Sequence, residues 1–309
     1  MGKEMSCVLR IEQISGSPEA RACLRPNLEV GFLPAIDNRS RLQRQWNFSG
    51  CVRRHFHVHA RETDIIRQLA EQAWMSVSAP PREIGFVLFA GLTQLDLTGP
   101  WEVLTRLPNT RCHLLAEGRA PVRSASGLSI VPSMLLEECG QLDIVVVPGG
   151  PGHLDAMQDE RLLSFLQRQE PGCQFLMAAC TGTLVLAAAG LLQGYECTTH
   201  WTALHRLSAF GAMPVNRRVV FDRTRATGGG VTAGIDLGLL MAAKLAGEDV
   251  ARKIQLMMEY APEPPFAGSP MTAHPSTVKA LEAPSDIADQ IRAIDADAIS
   301  RLRRDARLV

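Results

Sequence analysis

The chain has 309 residues, 46% of them hydrophobic and 21% charged, and its 32 basic and 32 acidic side chains cancel. Zero net charge argues against nucleic acid or an anionic membrane surface as partner, since either needs a basic face. No apolar run approaches the roughly 20 residues that span a bilayer. The opening residues MGKEMSCVLRIEQ are charged and lack an apolar stretch of signal-peptide type, which points to a cytoplasmic protein. The eight cysteines (7, 23, 51, 112, 139, 173, 180 and 197) have no framework spacing and read as reduced thiols. No CxxC pair, HExxH or GxxxxGK[ST] loop is present, so zinc and P-loop readings lose their support.

Residues 1–81 read as an extension, with one short amphipathic helix over 61–74 and a proline-containing lead-in over 75–83. Met75 is a candidate natural start. A purified native protein whose first peptide begins before Met75 would contradict that reading. His55, His57 and His59 alternate along HFHVH and would share one strand face, as chance or as metal ligands.

From Ile84 the pattern changes. IGFVLF (84–89) is a continuous apolar run of strand length, and QLDLTGPWEVLTRL (94–107) has helical spacing. CHLLAE (112–117) is a strand, 122–133 a hairpin centred on Gly127, and DIVVVPGG (143–150) a buried strand ending in a glycine loop. A helix is expected over 154–169, a strand over 174–179, and a helix over 183–192. A hairpin over 217–227 and one long helix over 234–260 follow. Apolar strands alternating with helices define an α/β fold with a mostly parallel sheet covered on both faces. Residues 82–268 form the expected domain, and 269–309 a helical tail packing on it.

The segment QFLMAACTGTLVLAAAGLL carries the chemistry. A buried strand runs into Cys180, and a helix begins within two residues among small neighbours, as in a nucleophile elbow. A helix N-terminus offers N–H groups and positive potential to a thiolate. Asp96, between Leu95 and Leu97, is out of place on an apolar helix start; it is either an acid serving a site or a first-turn aspartate on the helix dipole. Gly149 and Gly150 end the strand at 143–147. Their N–H groups either join that of Thr181 in an oxyanion-type pocket or simply make a turn.

Taken together, GLTQLDLTGPWEVL, VVVPGGPG, ACTGTLVLAAAGLLQG, TTHW, TGGGVTAGIDL and EYAPEPPFAGSP resemble the isonitrile hydratase branch of the ThiJ/PfpI superfamily, over residues 82–270. The resemblance implies a flavodoxin-like three-layer sandwich that assembles as a homodimer, with Cys180 as nucleophile, Asp96 as its acidic partner and Thr181 beside them. Other branches carry histidine directly after the nucleophile; Thr181 departs from that and weighs against a peptidase. His200 lies in TTHW, near enough to approach the site or to cap local structure. The implied reaction adds the Cys180 thiolate and a proton from Asp96 to the terminal carbon of an isonitrile, giving a thioimidate that water opens to the formamide, with no metal or cofactor. The pair would share one proton, with Asp96 neutral while Cys180 is ionised. The alternatives are the ligand-sensing half of an AraC-type regulator, which would append about 100 residues where 41 follow Gly268, and a stress- or aldehyde-handling member of the superfamily.

Overall fold

The computed structural model describes residues 80–305, apart from 267, 270, 271 and 282. The expected helix at 61–74, the HFHVH run and all but the last two residues of the expected extension lie outside the described residues.

Seven strands build one sheet. β1 (Arg82–Val87), β2 (Thr110–Ala116), β5 (Met134–Leu135), β6 (Ile144–Val147), β7 (Phe175–Ala179), β10 (Val219–Asp222) and β11 (Arg225–Gly228) lie in the order β10-β11-β7-β6-β1-β2-β5. Every neighbouring pair is parallel except β10 with β11. Two small ribbons stand apart, β3 (Val122–Arg123) with β4 (Ser129–Ile130) and β8 (Glu196–Cys197) with β9 (Met213–Pro214).

Successive side chains on a strand point to opposite faces. Both faces are apolar here, which is why the central strands read as unbroken runs rather than alternating ones. Ile144 and Val146 of β6, with Phe86 and Met177, pack under helices α1 (Gln94–Leu104), α5 (Ala233–Ala246) and α6 (Glu248–Met257). Val145 and Val147, with Leu176 and Ala178, pack under α3 (Glu160–Gln169), α4 (Gly182–Ala188) and the 3₁₀ segment Trp201–Phe210. That second layer also receives the C-terminal helix α8 (Ser285–Asp305), whose Ala298 is wholly buried there. The result is the expected flavodoxin-like three-layer sandwich.

Several elements differ from the sequence reading for local reasons. The helix expected over 154–169 is two: α2 (His153–Ala156), then α3, which starts afresh where Asp159 accepts the N–H groups of Arg161 and Leu162. The long helix expected over 234–260 breaks at Gly247, whose φ of +89° lies outside helical space. β5 and the 3₁₀ segment have no counterpart in that reading: β5 has only two residues, and the 3₁₀ segment turns every three residues instead of 3.6. The short helix α7 (Pro275–Ala280) lies within the expected helical tail.

Helices α1 and α5 approach closely. A Cβ on Gly238 would lie 3.1 Å from Val103 Cβ and 3.3 Å from Pro100 Cα. This contact seats the second and third turns of α1 against α5. Among the described residues no helix is long and apolar enough to cross a membrane. Gly238→Leu should force α1 outward and cost roughly 1–3 kcal/mol, read as a lower urea midpoint.

Candidate active site

β1 lies between β2 and β6, so the connections leave its two sides in opposite directions. Open α/β sheets bind ligands in the crevice that such a reversal opens at the strand ends. The loops after β1, β6 and β7 meet there. Thr93 N–H donates to the Gly149 carbonyl at 2.8 Å, and Gly152 N–H to the Gly91 carbonyl at 3.1 Å.

Cys180 occupies the turn between β7 and α4 with φ of +54° and is 5% exposed. Left-handed backbone costs a non-glycine residue about 1–2 kcal/mol, so the surroundings must impose it. Cys180 N–H donates to the Gly228 carbonyl at 3.0 Å, extending the β11 ladder, and the Thr199 hydroxyl donates to the Cys180 carbonyl at 2.7 Å. The turn also needs small neighbours. A Cβ on Gly149 would stand 2.8 Å from the Cys180 Cβ and 2.5 Å from the Thr181 nitrogen.

Asp96 is fully buried in the first turn of α1. The N-cap is Thr93, and the Asp96 carboxyl turns away across the crevice: Gly149 N–H donates to its Oδ2 at 3.1 Å. The Cys180 thiol faces the same carboxyl. Oδ1 is buried without a partner at full hydrogen-bond geometry, an unsettled group of the kind that functional sites retain.

Burial pushes the Asp96 carboxyl up to about 7, against the Cys180 and Gly149 hydrogen bonds, which pull it down. Burial and then the Asp96 charge push the Cys180 thiol up to about 12, while the Thr181 N–H and hydroxyl pull it down. Desolvation and the neighbouring charge therefore outweigh the helix end. Both directions favour the shared proton on sulfur over the acid, opposite to the expected arrangement.

Gly149 and Gly150 also differ from expectation. Their N–H groups are taken inside the site, Gly149 by Asp96 and Gly150 by the Thr181 hydroxyl at 2.9 Å. They hold the acid and the threonine rather than forming an open oxyanion pocket. Thr181 returns the bond, its hydroxyl lying 3.2 Å from the Gly150 carbonyl. His200 bonds through Nδ1 to the Thr202 hydroxyl at 2.8 Å, at the start of the 3₁₀ segment, which is the local role its position allowed. Sequence reasoning missed Thr199, whose hydroxyl holds the Cys180 carbonyl, and His153, which bonds the Gly150 carbonyl. Within the TTHW motif it singles out only the histidine as a residue that approaches the site. Among the described residues no three His, Cys, Asp or Glu side chains gather as metal ligands would.

A parallel sheet with a cysteine elbow beside a buried acid defines a class of α/β proteins built around one thiol. The chain belongs to the DJ-1/PfpI family, whose model matches residues 82–244. It is 49% identical over 197 residues to the isonitrile hydratase of Pseudomonas putida, spanning 63% of this chain and 86% of that protein. It is 33% identical over 189 residues to the HTH-type transcriptional regulator GbdR of Pseudomonas aeruginosa, spanning 58% of this chain and only 51% of the regulator. Among solved structures it resembles a ThiJ/PfpI family protein from Pseudomonas syringae, with a TM-score of 0.67 and 39% identity over 71% of this chain and 90% of that one. DJ-1beta of Drosophila melanogaster shares the fold, with a TM-score of 0.55 and 23% identity over 59% of this chain and all of that one.

The buried acid carries a stability consequence. Its folded value is raised from the unfolded 3.8 to about 7, so its ionisation leaves folding unpenalised below about pH 4 and costs progressively more stability as pH rises to 7. Asp96→Asn keeps an acceptor for Gly149 and carries no charge. It should unfold at a higher temperature than the parent at pH 8–9, by the equivalent of about 4 kcal/mol, and the gap should close near pH 4.

Proposed function

We propose that the chain is an isonitrile hydratase that converts R–N≡C and water to the N-substituted formamide. The observation that supports this most is the direct pairing of Cys180 with a carboxyl that burial holds near neutrality. The 49% identity to an isonitrile hydratase over most of its length points the same way. An isonitrile reacts at its terminal carbon with a nucleophile and a proton together, so both must reach one atom.

The steps balance as follows. Asp96 takes the thiol proton from Cys180, which removes the carboxylate charge that disfavours a thiolate. The sulfur adds to the isonitrile carbon and Asp96 returns the proton to that carbon, giving R–N=CH–S–Cys180. Water then attacks the same carbon, and Asp96 relays one of its protons to the nitrogen. The tetrahedral R–NH–CH(OH)–S–Cys180 collapses by breaking the C–S bond. The hydroxyl proton passes to Asp96, the formamide R–NH–CHO leaves, and the thiolate recovers its proton from Asp96. Thr181 N–H stabilises the sulfur when it is anionic. Gly149 N–H does the same for the carboxylate whenever Asp96 has given up its proton.

This reading includes a homodimer, supported by Leu256, Met257 and Phe266, which are 81%, 72% and 86% exposed. Such large apolar side chains commonly mark a covered face. The matches to regulators favour a second reading, a crevice that binds a small molecule without turning it over.

With a simple alkyl isonitrile such as cyclohexyl isonitrile, Cys180→Ala should abolish formamide formation. Asp96→Asn should lower turnover by at least about a hundredfold. The reactive state holds one proton on the pair, so kcat/KM should rise as pH passes through about 7, where Asp96 ionises, and stay high up to the thiol range. Binding of the isonitrile with no formamide would favour the second reading, and full activity of Cys180→Ala would overturn the thioimidate route.

A further inference from the structure

A buried chain of hydrogen bonds runs from the C-terminal helix to the glycine loop of the site. Asp295 of α8 takes two bonds from Arg206 on the 3₁₀ segment, at 2.9 Å from Nε and 2.7 Å from Nη2. The Arg206 and Asp295 side chains are 6% and 14% exposed. Arg206 Nη1 lies 3.0 Å from His153 Nε2, and His153 Nδ1 lies 2.8 Å from the Gly150 carbonyl. Arg301 of the same helix donates to the Met157 carbonyl at 2.8 Å and fastens the end of α2 alongside.

The donors and acceptors settle the direction of this chain. Guanidinium only donates and a carbonyl only accepts. His153 must therefore accept at Nε2 and donate at Nδ1, which is the neutral Nδ1–H tautomer. Burial and the Arg206 charge hold it there, pushing its value down to about 4, while the Gly150 bond, Asp295 and Asp155 pull the other way. The Asp295 carboxylate neutralises an arginine that would otherwise be an unpaired buried charge. Arg206 then fixes the tautomer, and the tautomer adds a side-chain donor to the Gly150 carbonyl beside the His153 backbone N–H.

We infer that Asp295, Arg206 and His153 form a relay through which the C-terminal helix holds the Gly149–Gly150 loop, making His153 a positioning residue for the Cys180–Asp96 pair. Gly150 is the point of leverage. Its φ of +128° is open only to glycine. Its N–H is committed to the Thr181 hydroxyl, and its carbonyl takes the His153 backbone N–H at 3.0 Å together with the His153 ring and the Thr181 hydroxyl. One residue earlier, Gly149 N–H is the bond that favours ionised Asp96. Loosening the loop weakens that bond and makes the carboxyl harder to ionise. A segment more than 100 residues beyond the nucleophile thereby tunes the acid of the site.

The inference rests on the proposed chemistry only for its catalytic reading, so its test includes a measurement without turnover. The protein is labelled with ¹³C at aspartate carboxyls, and the Asp96 signal is assigned by its loss in Asp96→Asn. The carboxyl is then titrated in the parent, in His153→Leu, which removes the donor, and in His153→Asn, whose amide N–H reaches the place of Nδ1. In His153→Leu the Asp96 midpoint should rise by about half a pH unit or more. The rising limb of kcat/KM should move with it, and kcat should fall roughly tenfold with little change in KM. His153→Asn should return the midpoint towards the parent value. A folded His153→Leu that titrates like the parent, or a His153→Asn no better than His153→Leu, would overturn the relay. Should His153→Leu fail to fold, Asp295→Asn decides: its midpoint should move the same way, and an unmoved one overturns the inference. A shifted midpoint in a protein that hydrates no isonitrile would leave the relay standing and overturn the hydratase reading instead.

Discussion

Removing a carboxyl from water beside a thiol is the constraint on which the rest of this site depends. Asp96 is fully buried, with one oxygen bonded to Gly149 and the other without a full partner. An ordinary aspartate would be ionised at neutral pH and could not supply a proton. Desolvation brings this one to the pH at which it can both give and take. Its charge in turn raises the Cys180 thiol. A standing thiolate beside that carboxylate is therefore disfavoured.

Holding two such groups together requires backbone that comes close. The crevice opens where the strand order reverses at β1, which brings three loop ends within hydrogen-bond reach of one another. Gly149 can approach Cys180 and Thr181, and Gly150 the 91–93 loop, only because they lack side chains. The strained turn at Cys180 is held by Gly228 on one side and Thr199 on the other. The Gly149 and Gly150 N–H groups are spent on holding Asp96 and Thr181 in register.

The same scaffold carries different tasks among its relatives, an isonitrile hydratase in Pseudomonas putida and transcriptional regulators in Pseudomonas aeruginosa. Fold alone therefore does not decide between turnover and sensing.

Much of this was legible in the chain because its signals are local. Apolar runs at 84–89, 143–147 and 174–179 mark strands buried on both faces, and a strand leading through small residues into a helix marks Cys180 as an elbow. Asp96 stood out because an acid among leucines needs a reason. Breaks such as Gly247 were misjudged because a helical period continues across them. What remained hidden is set by contacts between residues far apart in sequence. Only the folded chain shows that Gly149 spends its N–H on Asp96, 53 residues away, and that Thr199 steadies the nucleophile. Only there do Asp295, Arg206 and His153 line up behind the glycine loop. The protonation of the pair is likewise a tertiary property, because desolvation depends on everything packed around a carboxyl and on nothing in its own segment.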